Sequence, residues 1–198
     1  MTAILRSLRG AAVFVALACG VAACSSPAPE PSPSPSSAQP RGVAPLELRV
    51  PERWIQLEKS EAGARRGVWK VGRVGNDTND VEIQLLYFGT GAQGDRDKNW
   101  DAWMAEFDGD PKSSAKRKSG SSPAGPYEAF EIEGNFKLDV GPKLRGRSAA
   151  QRILSDHVLL GAVVRTPERG NWFLRMVGPR ETIGTVRADF YAVLDAAR

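Results

Sequence analysis

Along Leu46-Glu47-Leu48-Arg49-Val50, apolar and charged residues alternate until Pro51 interrupts them. The period of two predicts a first, edge-like strand, with Trp54 just beyond it as a lid on the core. The same period returns in Val68–Val74 and Val81–Phe88, joined by the turn-rich Gly75-Asn76-Asp77-Thr78-Asn79-Asp80, and predicts a hairpin. The period then changes. Trp100, Trp103, Met104 and Phe107 stand at i, i+3, i+4 and i+7, one stripe of a helix that has to be buried, and Asp95 and Asp97 precede it where carboxylates suit the positive helix end. The polar stretch Asp108–Pro126 predicts a loop. Alternation resumes over Tyr127–Ile132, and Gly134-Asn135 predicts a two-residue turn into Phe136–Leu138.

From Asp139 to Ser155 the chain is basic, glycine-containing and without a steady period, which predicts mostly loop. Two strong strands, His157–Val164 and Trp172–Val177, follow around a turn at Thr166–Asn171. Gly178-Pro179 then opens a helix in which Ile183, Val186, Phe190, Val193, Leu194 and Ala197 keep helical spacing, with Glu181 in the first turn. Strands in hairpins with one helix midway and one at the end predict an α+β domain: a largely antiparallel sheet with two main helices packed on it.

The residues before this domain have a different character. Arg6 and Arg9 precede a short apolar core, Ala11–Ala18, too short for a permanent membrane span, so residues 1–23 read as an export signal. It closes on Val21-Ala22-Ala23-Cys24, which resembles the lipobox of bacterial lipoproteins and implies cleavage before Cys24 and lipidation of its thiol. By the same likeness Ser25, where aspartate would direct inner-membrane retention in some Gram-negative systems, implies the periplasmic side of an outer membrane if the source is Gram-negative. Several acyl chains, each adding about 0.8 kcal/mol per buried methylene, would make the anchor durable. Residues 24–45 continue as a lipid site and a tether rich in proline, serine and alanine, extended at about 3.1 Å per residue where it adopts polyproline geometry. Residues 46–198 remain for a single domain.

Composition narrows the chemistry. The only cysteines are Cys19 and Cys24, so residues 46–198 have neither a disulfide nor a thiolate metal site. Losing Arg6 and Arg9 with the signal takes the formal charge from +4 to +2, too little for a nucleic-acid footprint. The expected contacts are therefore a membrane, through lipid on Cys24, and an unknown protein or other envelope partner, with no nucleic acid.

The opening Pro51 and Trp54, the strand end Tyr87-Phe88-Gly89, the tryptophan-bearing helix and Trp172-Phe173-Leu174-Arg175-Met176-Val177-Gly178-Pro179 before a last helix together resemble a group of uncharacterised exported bacterial proteins. Many of these are lipoproteins, and they are similar in turn to the PsbP and Mog-type α/β/α fold. Known members of that fold include photosystem-associated subunits and a Ran-binding protein. The resemblance implies an α/β/α sandwich and brings no catalytic or ligand-binding residue with it.

Several motifs invite a chemical reading. Gly89, Gly91 and Gly94 have dinucleotide-fingerprint spacing, but the helical stripe begins only near Trp100 and Asp95 and Asp97 intervene where pyrophosphate needs positive potential. No cofactor is expected. Asp95, Asp97, Asn99 and Glu106 echo a calcium loop, but Trp100 stands where that loop needs glycine. His157, the sole histidine, is expected at a surface or sheet edge, and one histidine excludes a multi-histidine zinc site. The tryptophans at 54, 69, 100, 103 and 172 are expected to fill the core. The basic clusters Lys112/Lys116/Arg117/Lys118 and Lys143/Arg145/Arg147/Arg152 read as solvated loop faces, and Glu128, Glu131 and Glu133 as solvent-facing strand positions or strand ends. The expectation is a non-enzymatic binding or assembly domain presented in the envelope. The alternative is an envelope hydrolase using carboxylates on glycan.

Overall fold

A computed structural model describes residues 44–140, 150–167 and 169–198. Cys24, the export signal, most of the tether and the Lys143, Arg145 and Arg147 part of the second basic cluster lie outside the described residues. The described residues form seven strands: β1 (Ile55–Lys59), β2 (Arg65–Val71), β3 (Val81–Tyr87), β4 (Lys116–Ser122), β5 (Gly125–Val140), β6 (Ala150–Thr166) and β7 (Gly170–Pro179). Three helices accompany them: α1 (Arg96–Met104), α2 (Pro111–Ser114) and α3 (Arg180–Asp195). The strands make one sheet in the order β1-β2-β3-β7-β6-β5-β4, antiparallel at every pairing. The α+β expectation is met.

The sheet is apolar on both faces because the central strands carry large side chains at consecutive positions. On one face Val81, Ile83, Leu85, Trp172, Leu174, Met176, Val158 and Leu160 pack against Ile183, Val186, Phe190 and Leu194 of α3. On the other, Leu86, Phe173, Leu159, Val163, Phe130 and Ile132 pack against Trp100, Trp103 and Met104 of α1, and against Phe107 just past its end. Alternate residues of each strand serve opposite faces, so the two helical stripes read from sequence cover two different surfaces. Each large side chain sealed in this way contributes about 1.5–3 kcal/mol. The result is an α/β/α sandwich.

Close approach on the α1 face depends on Gly161, where a Cβ would collide with the Phe130 ring and stand 3.1 Å from the Trp103 ring. Trp100 and Trp103 then sit over Phe130 with ring centroids 4.9 and 6.5 Å away. Asp95 caps α1 by accepting the Lys98 backbone N–H. The start of α3 has no cap of its own because Pro179 occupies that position. Asp77, from the β2–β3 connection, replaces it by accepting the backbone N–H of Thr182 at 2.8 Å and its hydroxyl at 2.5 Å. Thr182 Oγ1 in turn accepts Val74 N–H, so the hairpin turn is tied to the helix end.

Several boundaries differ from expectation. Leu46–Val50 is not a strand: its alternation is spent packing Leu46, Leu48 and Val50 onto the α3-side core, and Glu47 exchanges backbone hydrogen bonds with Arg198 at 2.8 and 3.2 Å. The edge strand is β1 instead, every residue of which is exposed. The predicted Asp108–Pro126 loop contains α2 and β4, whose sequence KRKSGSS has no apolar period because both its faces are largely wet. Gly134-Asn135 makes a β-bulge in one continuous strand, with pairing slipping between Gly134 and Phe136, so the predicted hairpin turn is absent. The Asp139–Ser155 loop is shorter than predicted, since β5 runs to Val140 and β6 starts at Ala150.

Burial, and then a hydrogen bond to Asp195, push the Tyr127 phenol from 10.0 to about 12. The folded phenol therefore keeps its proton where the unfolded one loses it, and stability present below pH 10 falls as pH rises towards 12. Tyr127→Phe should flatten that alkaline decline in denaturant titrations across the window. Some slope should persist, because burial also raises Tyr191.

Candidate functional site

The larger cavity, about 690 Å³, opens on the α3 face of the sheet at the end where the domain begins. Its floor is Trp69 of β2, Leu85 of β3 and Trp172 of β7, adjacent strands in the order β2-β3-β7. One wall is the non-strand segment Ala44–Val50, and the other comes from Gln56, Lys59 to Glu61 and Arg66. Trp69 is held upright by Trp54, 6.5 Å away between centroids, and by Gly67, which leaves room for the indole over the strand. Trp172 stacks on Tyr87 at 4.6 Å, and the Arg66 guanidinium lies over that same Tyr87 ring at 5.4 Å.

The polar groups of this cavity are unbalanced. The indole nitrogens of Trp69 and Trp172 and Nε of Arg66 are buried donors without a hydrogen-bond partner. A buried donor left unpaired costs about 1–3 kcal/mol. The cations around the cavity outnumber its carboxylates: Arg49, Lys59, Arg66 and Arg198 stand against Glu47 and Glu61. Glu47 is matched by Arg198 at 3.1 Å. The cavity thus joins an apolar aromatic floor to an excess of cationic over anionic side chains. The indoles fill the core as expected, yet two of them also line an opening.

A second cavity of about 390 Å³ lies on the opposite face, lined by Asn79, Glu82, Glu106, Phe136, His157 and Arg175 among others. His157 is not at a surface or edge: it is 5% exposed. Because β6 starts seven residues before it, the ring sits within the sheet, stacked on Phe136 at 6.0 Å with Nδ1–H donating to the Ser155 carbonyl at 2.8 Å. Arg175 pairs with Glu106 and lies over the rings of Trp103 and Phe136 at 5.8 and 5.9 Å. Burial pulls its guanidinium down from its ordinary value while Glu106 and Glu82 pull it back up.

The other sequence candidates are absorbed by the fold. Gly89, with φ 81°, and Gly94, whose Cβ would strike the Gly89 carbonyl, fold the loop on itself, and Asn171 ties Gly94 to β7 at 2.8 Å. The four calcium-loop residues do not converge: Asp95 caps α1, Asp97 pairs with Arg96, Asn99 donates to the Gln93 and Asp95 carbonyls, and Glu106 goes to Arg175. Glu131 is buried rather than solvent-facing, held between Arg187 at 3.0 Å and Lys116 at 3.8 Å. Glu128 pairs with Arg96 and Arg165, and Glu133 with Lys116 and Arg180. Burial alone would raise Glu133, but the Lys116 hydrogen bond and Arg180 hold it below the ordinary carboxylate range. In the first basic cluster, Lys112 pairs with Asp101, and Arg117 and Lys118 lie over the Trp100 and Tyr191 rings at 5.4 and 4.1 Å. Sequence reasoning missed Arg66 and the cavity role of Trp69 and Trp172. A strand arginine three residues before an indole was the only signal.

No protein-family model matches the chain, and no curated protein does. Among solved structures the chain is similar to the solution structure of cyanobacterial PsbP (CyanoP) from Synechocystis sp. PCC 6803. The identity is 13%, the match covers 82% of this chain and 96% of that one, and the TM-score is 0.41. No site residue is carried over from it.

Glu106→Ala would leave the largely buried Arg175 charge without its carboxylate and should cost about 3 kcal/mol in urea unfolding. Adding Arg175→Met should restore a substantial part of that loss. Additive destabilisation in the double variant would contradict the pairing.

Proposed function

We propose that this chain is an exported lipoprotein whose body is a non-enzymatic binding domain, held off a membrane by lipid on Cys24 and the proline-rich tether. The observation that carries the binding reading is the 690 Å³ cavity: an aromatic floor, an excess of cationic side chains, and a wall made of Ala44–Val50, where the tether runs into the domain. Its size lies in the range of small-molecule sites. The anchor rests on Val21-Ala22-Ala23-Cys24 and the signal before it. On that reading the domain works at a membrane surface, the periplasmic face of an outer membrane if the source is Gram-negative, and its partner belongs to the envelope.

A glycan hydrolase built on Glu128, Glu131 and Glu133 is the weaker reading. Each of these carboxylates is matched by two cations, and none lines either cavity. A general acid needs a raised pKa, whereas Glu133 is held low by its cations, and a nucleophile needs access to substrate, which the paired cations block at all three.

Expressed in a bacterial host, the full chain should take up labelled palmitate and sediment with membranes. Cys24→Ser should take up none. A wild-type chain that exports without label would overturn the anchor.

A further inference from the structure

We infer that the larger cavity binds a small amphipathic anion, an apolar acyl or aryl body ending in one carboxylate or comparable anionic head. This names the ligand class for the binding reading above and rests on it. The cavity sets the aromatic and aliphatic surface of Trp69, Trp172 and Leu85 beside the cations Arg49, Lys59 and Arg66. Trp69 is 7% exposed and Trp172 1%, so the two indoles are fixed in the core and offer the cavity a rigid apolar floor.

Charge selects the head group. Arg49, Lys59 and Arg66 have no carboxylate partner among the described residues, while Arg198 is matched by Glu47. Among the lining side chains, the exposed Glu61 is the carboxylate left to oppose these three cations. An anionic head gains from that field, and a guanidinium binds carboxylate through paired N–H donors. Arg66 is placed for this role, because its guanidinium is parked over Tyr87, which itself stacks on Trp172 of the cavity floor. Leu46, Leu48, Val50 and Leu85 supply the apolar lining for the body of the ligand. A neutral molecule would leave the cations unused. A cation would meet them as like charges.

The lipidated full chain, held in phosphatidylcholine nanodiscs with empty nanodiscs as the blank, can be titrated calorimetrically with octanoate and 2-naphthoate. Octanamide and 2-naphthamide serve as neutral counterparts of the same shape. At least one of the two anions should bind, ten or more times tighter than its amide. Arg66→Gln should erase that preference, and Arg66→Lys should retain part of it, with both variants melting cooperatively. Tightness for octanoate alone would define an acyl body, and for naphthoate alone an aryl one. Equal affinity for acid and amide, no binding of either anion by folded protein, or an unchanged preference in Arg66→Gln would overturn the inference. If Cys24 carries no lipid, the protein is titrated without nanodiscs, so loss of the anchor reading leaves this result standing.

Discussion

A sheet whose central strands are apolar at consecutive positions cannot leave either face in water, and that constraint organises everything else in this molecule. β6 is buried without a break from His157 to Val164, and the paired strand β7 brings Trp172, Phe173 and Leu174 in succession. One helix is not enough to cover two faces. The chain therefore spends its tryptophan stripe in α1 on one side and its aliphatic and phenylalanine stripe in α3 on the other. The outer strands relax the requirement in steps, ending in β1 and β4, where burial is nearly absent.

The same layering sorts the charges. Where β5 passes under the helices, its glutamates meet arginines from α1, α3 and β6, and each becomes a fastening between layers. Carboxylates used this way are poor reagents, because the cations that fix them also occupy the oxygens a substrate would have to reach. At the far end of the sheet α3 runs out and Ala44–Val50 takes over the cover. Strand side chains there form a floor without a tight roof, and cations gather with few carboxylates to answer them. The reactive-looking residues of the sequence are thus structural, and the open chemistry sits among residues that look structural.

How much of this was legible follows from which signals are local. Both helical stripes, the β2–β3 hairpin and the β6–β7 pair were readable because burial on defined faces imposes a period on the sequence. β4 was not, since an edge strand with wet faces carries no apolar period. KRKSGSS forms a strand only because β5 offers it a free row of backbone groups. Leu46–Val50 failed in the opposite way, as alternation there reports packing on a face without saying that the backbone is in the sheet. His157 and Glu131 were misplaced because their burial comes from partners far along the chain, Phe136 for one and Arg187 for the other. The cavity was invisible for the same reason, as its floor is assembled from three strands and its wall from a fourth segment.

One further consequence follows from how that wall is fastened. Ala44–Val50 lies outside the sheet and is secured by a reciprocal pair of backbone hydrogen bonds between Glu47 and Arg198, one ion pair beside it and the packing of Leu46, Leu48 and Val50 on the core. Mechanical load entering at Ala44 would open these bonds one after another, as in a zipper, before reaching any strand loaded in shear. The covering of the cavity is then the first part of the domain to yield under tension.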